Sequence, residues 1–221
     1  YGAEALARWK KPDGTIVPPA YFIDSLEKIG YITELDFYIF EEVLKTLDKW
    51  NRQKKRKIII STNFSGRHFE GTGEEFLNRI AHVMSKYTVL PSNVEIEVTE
   101  GVLVKNVEVL RHCLNRLHDM GFRIAIDDFG TGYSSLSMLA DMPSDVIKID
   151  KSFINVGMTD QKLKLLCEIG RMVKILGKEI IIEGVETKEQ EQFLIDGGFA
   201  CGQGFLCNRP VSLGEFERLY L

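Results

Sequence analysis

The sequence predicts an α/β chain of parallel strands alternating with helices, either an open doubly wound sheet or a (β/α) barrel. Two observations carry this. Short runs rich in Ile, Val and Phe alternate along the 221 residues with longer segments whose apolar residues recur at helical spacing. Nearly all of those short runs end on a polar residue, which is where parallel α/β proteins gather their functional side chains.

The elements follow in order. Residues 3–9 open the chain, with Glu4, Leu6 and Arg8 at period two, so that a strand there turns all three to one face. Helical spacing covers 20–29 and 35–52, and the β-branched run 57–62 then leads into Asn63. A helix at 74–87 precedes the strand 94–99, in which Val94-Glu95-Ile96 meets Glu97; a helix at 107–120 precedes the strand 123–127, which ends on Asp127-Asp128. The loop that follows carries Gly130 and Gly132 and then Ser134-Ser135, a pair suited to cap a short helix. Val146-Ile147 meets Lys148 in the strand 146–150, a helix spans 161–176, and the strand 179–183 ends on Glu183. A helix at 188–196, a strand at 200–205 around Gln203 and a helix at 212–219 close the chain. Seven strands are visible, whereas a closed barrel of this type takes eight, so the barrel reading needs one strand from upstream of Tyr1 or from a neighbour.

Length and composition fit one globular domain, residues 1–221, without low-complexity sequence. Twenty-eight basic against 32 acidic residues leave a formal charge of −4, which offers no field to gather a nucleic-acid polymer or an anionic membrane. The basic run 52–57 is short and reads as a solvated face or a small anion-binding patch. Four cysteines without a CxxC pair favour a reducing compartment, the cytoplasm, and no apolar run approaches the ~18 residues of a membrane span. The chain opens on residues that already read as strand, as a domain excised from a longer signalling protein would.

The strand ends define the chemistry. Glu4, Glu97, Asp127, Asp128 and Glu183 cannot share one cleft as bare carboxylates, because like charges that close raise one another's pKa. Cations must sit among them. His68, His82, His112 and His118 all lie away from strand ends, so the donor set is oxygen-rich and suits Mg²⁺ or Mn²⁺, two ions more readily than one. Arg8 adds a planar clamp for an anionic oxygen, and with Lys148 the set reads as phosphate-ester chemistry. Plainer roles exist: Lys148 could pair with Asp150, and Glu97 or Asp127 with Arg123. The stretch GTGYSS lacks the lysine and glycine spacing of a phosphate-binding loop.

These residues together resemble the EAL domain, the bacterial phosphodiesterase of cyclic di-GMP. The shared blocks are EALARW from Glu4, Asn63-Phe64-Ser65, Glu97-Val98-Thr99-Glu100, DDFGTGYSSL from Asp127, Lys148-Ile149-Asp150, EGVET from Glu183, and Gln203-Gly204-Phe205. The resemblance implies a modified (β/α)8 TIM-like barrel whose first helix and strand precede Tyr1, and hydrolysis of cyclic di-GMP to linear pGpG with Mg²⁺ or Mn²⁺, two ions per site. It implies that Glu4, Asn63, Glu97 and Asp127 hold the first cation, that Asp127 and Asp128 reach the second, and that Glu183 and Gln203 hold metal or water. Lys148, Glu4 and Glu183 take catalytic roles, Lys148 contacting the attacking water; Arg8 and Leu6 bind substrate; Glu100 and Glu186 hold the acid-pair loop. It further implies a homodimer through the loop after Asp128 and an upstream sensor or GGDEF-type domain. Phe64 and Ile182 replace the family's usual Leu and Ala, apolar for apolar, so altered packing with retained ligands is expected. A catalytically silent cyclic di-GMP receptor or scaffold is the alternative within the same family.

Overall fold

The structure is a computed structural model that describes residues 2–104, 106–132, 136–154 and 159–221. The chain forms two compact units, Tyr1–Val98 with Glu108–Arg123 and Thr99–Val107 with Ile124–Leu221.

In the first unit, β1 (Gly2–Glu4) pairs in parallel with a longer strand that itself pairs in parallel with a third. Between β1 and that longer strand lie a small antiparallel hairpin, β2 (Trp9–Lys10) and β3 (Ile16–Val17), and two helices, α1 (Ile23–Ile29) and α2 (Ile32–Arg52). The longer strand is β4 (Ile59–Asn63); α3 (Glu74–Met84), β5 (Val94–Thr99) and α4 (Val107–Asp119) follow. One stripe of α2 is apolar: Ile32, Phe37, Phe40, Val43, Leu44, Leu47 and Trp50 are all buried, at the three- and four-residue spacing of a core-facing helix. Phe37 and Phe40 meet Phe64 edge-on, each with ring centroids 5.7 Å apart. The aromatic replacement at position 64 is thus absorbed by aromatic neighbours. Arg79 on α3 locks the outside of this layer, forking onto both oxygens of Glu34 at 2.5 and 2.6 Å while lying 4.1 Å over the Phe37 ring.

In the second unit, β6 (Arg123–Phe129), β7 (Val146–Ile149), β8 (Glu179–Glu183) and β9 (Gly202–Gln203) pair in parallel in chain order. Four helices connect or follow them: α5 (Leu136–Asp141), α6 (Asp160–Ile175), α7 (Lys188–Asp196) and α8 (Leu213–Tyr220). The hydroxyls of Thr159, Thr187 and Ser212 accept backbone N–H groups at the starts of α6, α7 and α8, and Gln190 completes a reciprocal cap with Thr187. No helix among the described residues is long and apolar enough to cross a membrane.

Two expectations need correction. The strand expected over 3–9 ends at Glu4, because after Ala5 donates to the Ser61 carbonyl its partner β4 has little length left before turning into a 3-10 helix. Leu6 and Arg8 therefore do not share a strand face with Glu4. Trp9 instead starts the hairpin, closed by Lys11-Pro12-Asp13-Gly14-Thr15, a turn sequence whose Asp13 carboxylate accepts the Thr15 N–H. The expected strand 200–205 shrinks to the two residues beside β8.

Candidate functional site

In the first unit, three adjacent parallel strands end side by side. Their register sets Glu4 against Ser61 and Asn63 against Glu97. The Asn63 amide donates to Glu4 Oε1 at 2.8 Å, which fixes the amide's orientation and leaves its oxygen as a donor for a cation. Glu97 is 1% exposed, and its carbonyl accepts the Phe64 N–H at 2.9 Å, tying the ends of β4 and β5 together. Arg123 pairs with Glu95, one of the carboxylates of β5, at 3.2 Å.

In the second unit, Lys148 projects from the middle of β7 with its side chain 1% exposed. Its ammonium lies 2.8 Å from Glu183 Oε1 and 3.5 Å from Asp127 Oδ1, and Asp150 is instead taken up capping the Ser152 N–H. Pairing of Lys148 with Asp150 is ruled out by that geometry. One carboxylate oxygen from each of Asp127, Asp128 and Glu183 lies within 4.8 Å of the others. Three carboxylates so close repel unless cations are shared among them, and their all-oxygen donor set fits a hard divalent ion.

Consecutive strand residues point to opposite faces, so Asp127 and Asp128 should not serve one site. Here β6 carries an irregularity: its register against β7 shifts between Ile126 and Phe129, and Asp128 has φ +55°. This bulge re-aims the second carboxylate, a known use of such breaks. Glu100 braces the turn that follows. It is 2% exposed, and its Oε2 accepts the N–H groups of Gly130 and Gly132, each at 2.8 Å. Gly130 sits at φ +98° with the Phe153 ring where a Cβ would be, so no larger residue fits.

Gln203 lies opposite Glu183 in the β8–β9 register, and its carbonyl accepts the Val185 N–H at 3.0 Å. Gly204 must follow it, since a Cβ there would strike the Val185 backbone. Three further candidates are exposed. Arg8 is exposed and donates to the Ala7 carbonyl at 2.7 Å, and Leu6 is 43% exposed. Glu186 offers its backbone N–H to Gln190 at 2.7 Å, and no hydrogen bond or ion pair ties its exposed carboxylate to the described residues of the 128–132 turn. The Ser134-Ser135 cap and part of the expected dimer loop lie outside the described residues. The bulge at Asp128 has the glycines after it as its only sequence signal.

A family model described as "EAL domain" matches residues 1–210. Among curated proteins, the chain is 37% identical over its full length to "Signaling protein YkoW" of Bacillus subtilis, covering 27% of that protein. It is 32% identical to "Cyclic di-GMP phosphodiesterase PdeR" of Escherichia coli, over 98% of the chain and 32% of that protein. The chain thus spans about a third or less of these relatives. Among solved structures, "PaMucR Phosphodiesterase, c-di-GMP complex" superimposes with a TM-score of 0.88 at 31% identity, over 96% of this chain and 86% of that one. The fold is accordingly the (β/α)8 barrel-like fold of those domains. The chain belongs to the EAL domain family.

Proposed function

We propose that this chain is a metal-dependent phosphodiesterase that hydrolyses cyclic di-GMP to linear pGpG. The observation that carries the reading is the buried Lys148 ammonium, held by Glu183 and Asp127 beside three clustered carboxylates. A lysine at that depth is stable only where anions surround it, and the carboxylates in turn exceed what one ammonium neutralises. Divalent cations, Mg²⁺ or Mn²⁺, supply the remaining positive charge there and make a bound water acidic enough to ionise near neutral pH.

The chain's own groups then divide the work. Glu4, Asn63, Glu97, Asp127, Asp128, Glu183 and Gln203 are the residues that would hold the cations through oxygen. Lys148 donates to the attacking water and sets its lone pair toward phosphorus, while Glu183 accepts the proton the water loses. Arg8 steadies the non-bridging oxygens, with Leu6 against the substrate. The water oxygen bonds to phosphorus as one P–O3′ bond breaks, leaving a 5′-phosphate and a 3′-alkoxide that takes up a proton to become the 3′-hydroxyl. Glu100 keeps the acid-pair turn in place, with Glu186, whose N–H is tied to Gln190, assigned to the same task.

In the same reading the chain is one domain of a longer cytoplasmic signalling protein and pairs with a second copy through the loop after Asp128. The described cysteines are all unpaired thiols, which supports the compartment, and a relative of 32% identity is named as a bifunctional diguanylate cyclase/cyclic di-GMP phosphodiesterase, which supports the longer protein. The test is chromatography of cyclic di-GMP after incubation with the protein and Mg²⁺ or Mn²⁺. Linear product supports the proposal. Unchanged dinucleotide refutes it, and tight binding without turnover identifies a receptor instead.

A further inference from the structure

A polar cluster lies directly behind the Asn63 end of β4, inside an otherwise aromatic layer. Asp36, on the buried stripe of α2 and 7% exposed, accepts the Ser65 N–H with its Oδ2 at 2.8 Å. The same oxygen lies 3.0 Å from His68 Nε2, which donates to it. His68 is itself buried, its ring packed against Phe37 and Phe64 with centroids 5.3 Å away in each case. The Ser65 hydroxyl donates to Glu27 Oε1 on α1 at 2.7 Å and accepts the Arg67 N–H at 3.2 Å, which caps the 3-10 turn over Gly66–Phe69. On its other side the segment is held by the Phe64 N–H on the Glu97 carbonyl.

A carboxylate among phenyl rings is unfavourable unless it is fully hydrogen-bonded, and for packing alone an aliphatic residue would be the stabler choice. What the carboxylate does that an aliphatic residue cannot is fix a peptide N–H two residues beyond Asn63. That leaves few conformations for the backbone at 63–65, and the Asn63 amide is set by that backbone on one side and by Glu4 on the other. Residues that orient a metal's direct ligands through hydrogen bonds typically contribute about 10- to 100-fold to metal affinity.

We propose that Asp36 is a positioning residue for the cation site: its carboxylate, shared between the Ser65 N–H and His68, holds the β4 exit so that the Asn63 oxygen faces the cation. This rests on the reading of Asn63 as a cation ligand. The matched control is Asp48, equally buried at the other end of α2, where it accepts the Thr88 N–H at 3.3 Å and pairs with Arg52.

The experiment measures Mn²⁺ affinity of the full chain by electron paramagnetic resonance, with melting temperature alongside. Asp36→Ala should weaken Mn²⁺ about 10- to 100-fold, whereas Asp48→Ala should leave the affinity within about twofold although both lower the melting temperature. His68→Phe, which keeps the ring and removes the donor, should weaken Mn²⁺ in the same direction by less. Should Asp36→Ala not fold, Asp36→Asn replaces it, with an intermediate loss expected. Affinities of the Asp36 and Asp48 variants within about twofold of each other would overturn the proposal, as would a wild-type chain that binds no Mn²⁺. A wild-type chain that binds Mn²⁺ but leaves cyclic di-GMP intact would remove the phosphodiesterase reading while the Asp36 comparison still decides this one.

Discussion

Truncating Glu100 should disable the acid-pair turn without unfolding the chain. Its Oε2 receives two backbone N–H groups at 2.8 Å, from Gly130 and Gly132, and the residue is 2% exposed. Each hydrogen bond to a charged acceptor contributes roughly 1.5–3 kcal/mol, so the pair holds the turn by about 3–6 kcal/mol at most. Gly130 is exposed, so water recovers part of this, and the lower bound of about 3 kcal/mol is the better figure for Glu100→Ala. That corresponds to about a 150-fold fall in the population of the ordered turn. Glu100→Gln keeps an oxygen in place but loses its charge, which roughly halves each bond and predicts about a 10-fold fall. The assay is kcat for cyclic di-GMP hydrolysis at saturating Mn²⁺, with melting temperature as the control for global damage. The expected order is wild type, then Gln, then Ala. Glu100→Ala with kcat within about twofold of wild type would refute both the magnitude and the assigned role.

Three further outcomes follow from the same geometry. Lys148→Ala should abolish turnover, and in the absence of metal it should destabilise the fold by about 3–5 kcal/mol in urea denaturation, because Asp127 and Glu183 lose their buried counter-charge. Adding Mn²⁺ at about 100 times its Kd should stabilise the wild type by about 2.7 kcal/mol, an effect that EDTA reverses and Glu4→Ala reduces. Burial raises the Cys113 thiol to about 11, so it stays protonated in the fold when an unfolded chain would ionise near 9. The folded state then holds the extra proton, and this contribution is lost as pH rises from 9 through about 11. At pH 8 a thiol reagent should modify exposed Cys207 first and Cys113 only on unfolding; equal rates would contradict the burial.

How far the sequence discloses this depends on whether a feature is periodic. β4 through β8 are short runs rich in Ile and Val, and the polar residues at or near their ends, Asn63, Glu97, Asp127 and Glu183, can be placed from spacing alone. Single-residue breaks are what spacing cannot show. β1 stops at Glu4, whose partner Ser61 lies near the end of β4, and the alternation of Glu4, Leu6 and Arg8 does not contain that stop. Pro12-Asp13-Gly14 carries the turn chemistry of the hairpin that β2 and β3 form. The Asp36–His68 pair has no sequence signature at all, since on α2 and after β4 each reads as an ordinary polar position.

The bulge at Asp128 shows why the acid pair needs the rest of its surroundings. A residue other than glycine held in the left-handed region costs roughly 1–2 kcal/mol, and without it the second carboxylate would face away from the first. Such strain persists only where neighbours over-determine it. Here Glu100 grips the turn on one side, and Phe153 fills the space a side chain at Gly130 would take. Relieving the strain with Asp128→Gly would therefore leave the backbone bulge intact and delete only the carboxylate. If that variant kept Mn²⁺ affinity at the wild-type level, the bulge would serve the turn and not the cation, and the shared use of the two adjacent aspartates would have to be abandoned.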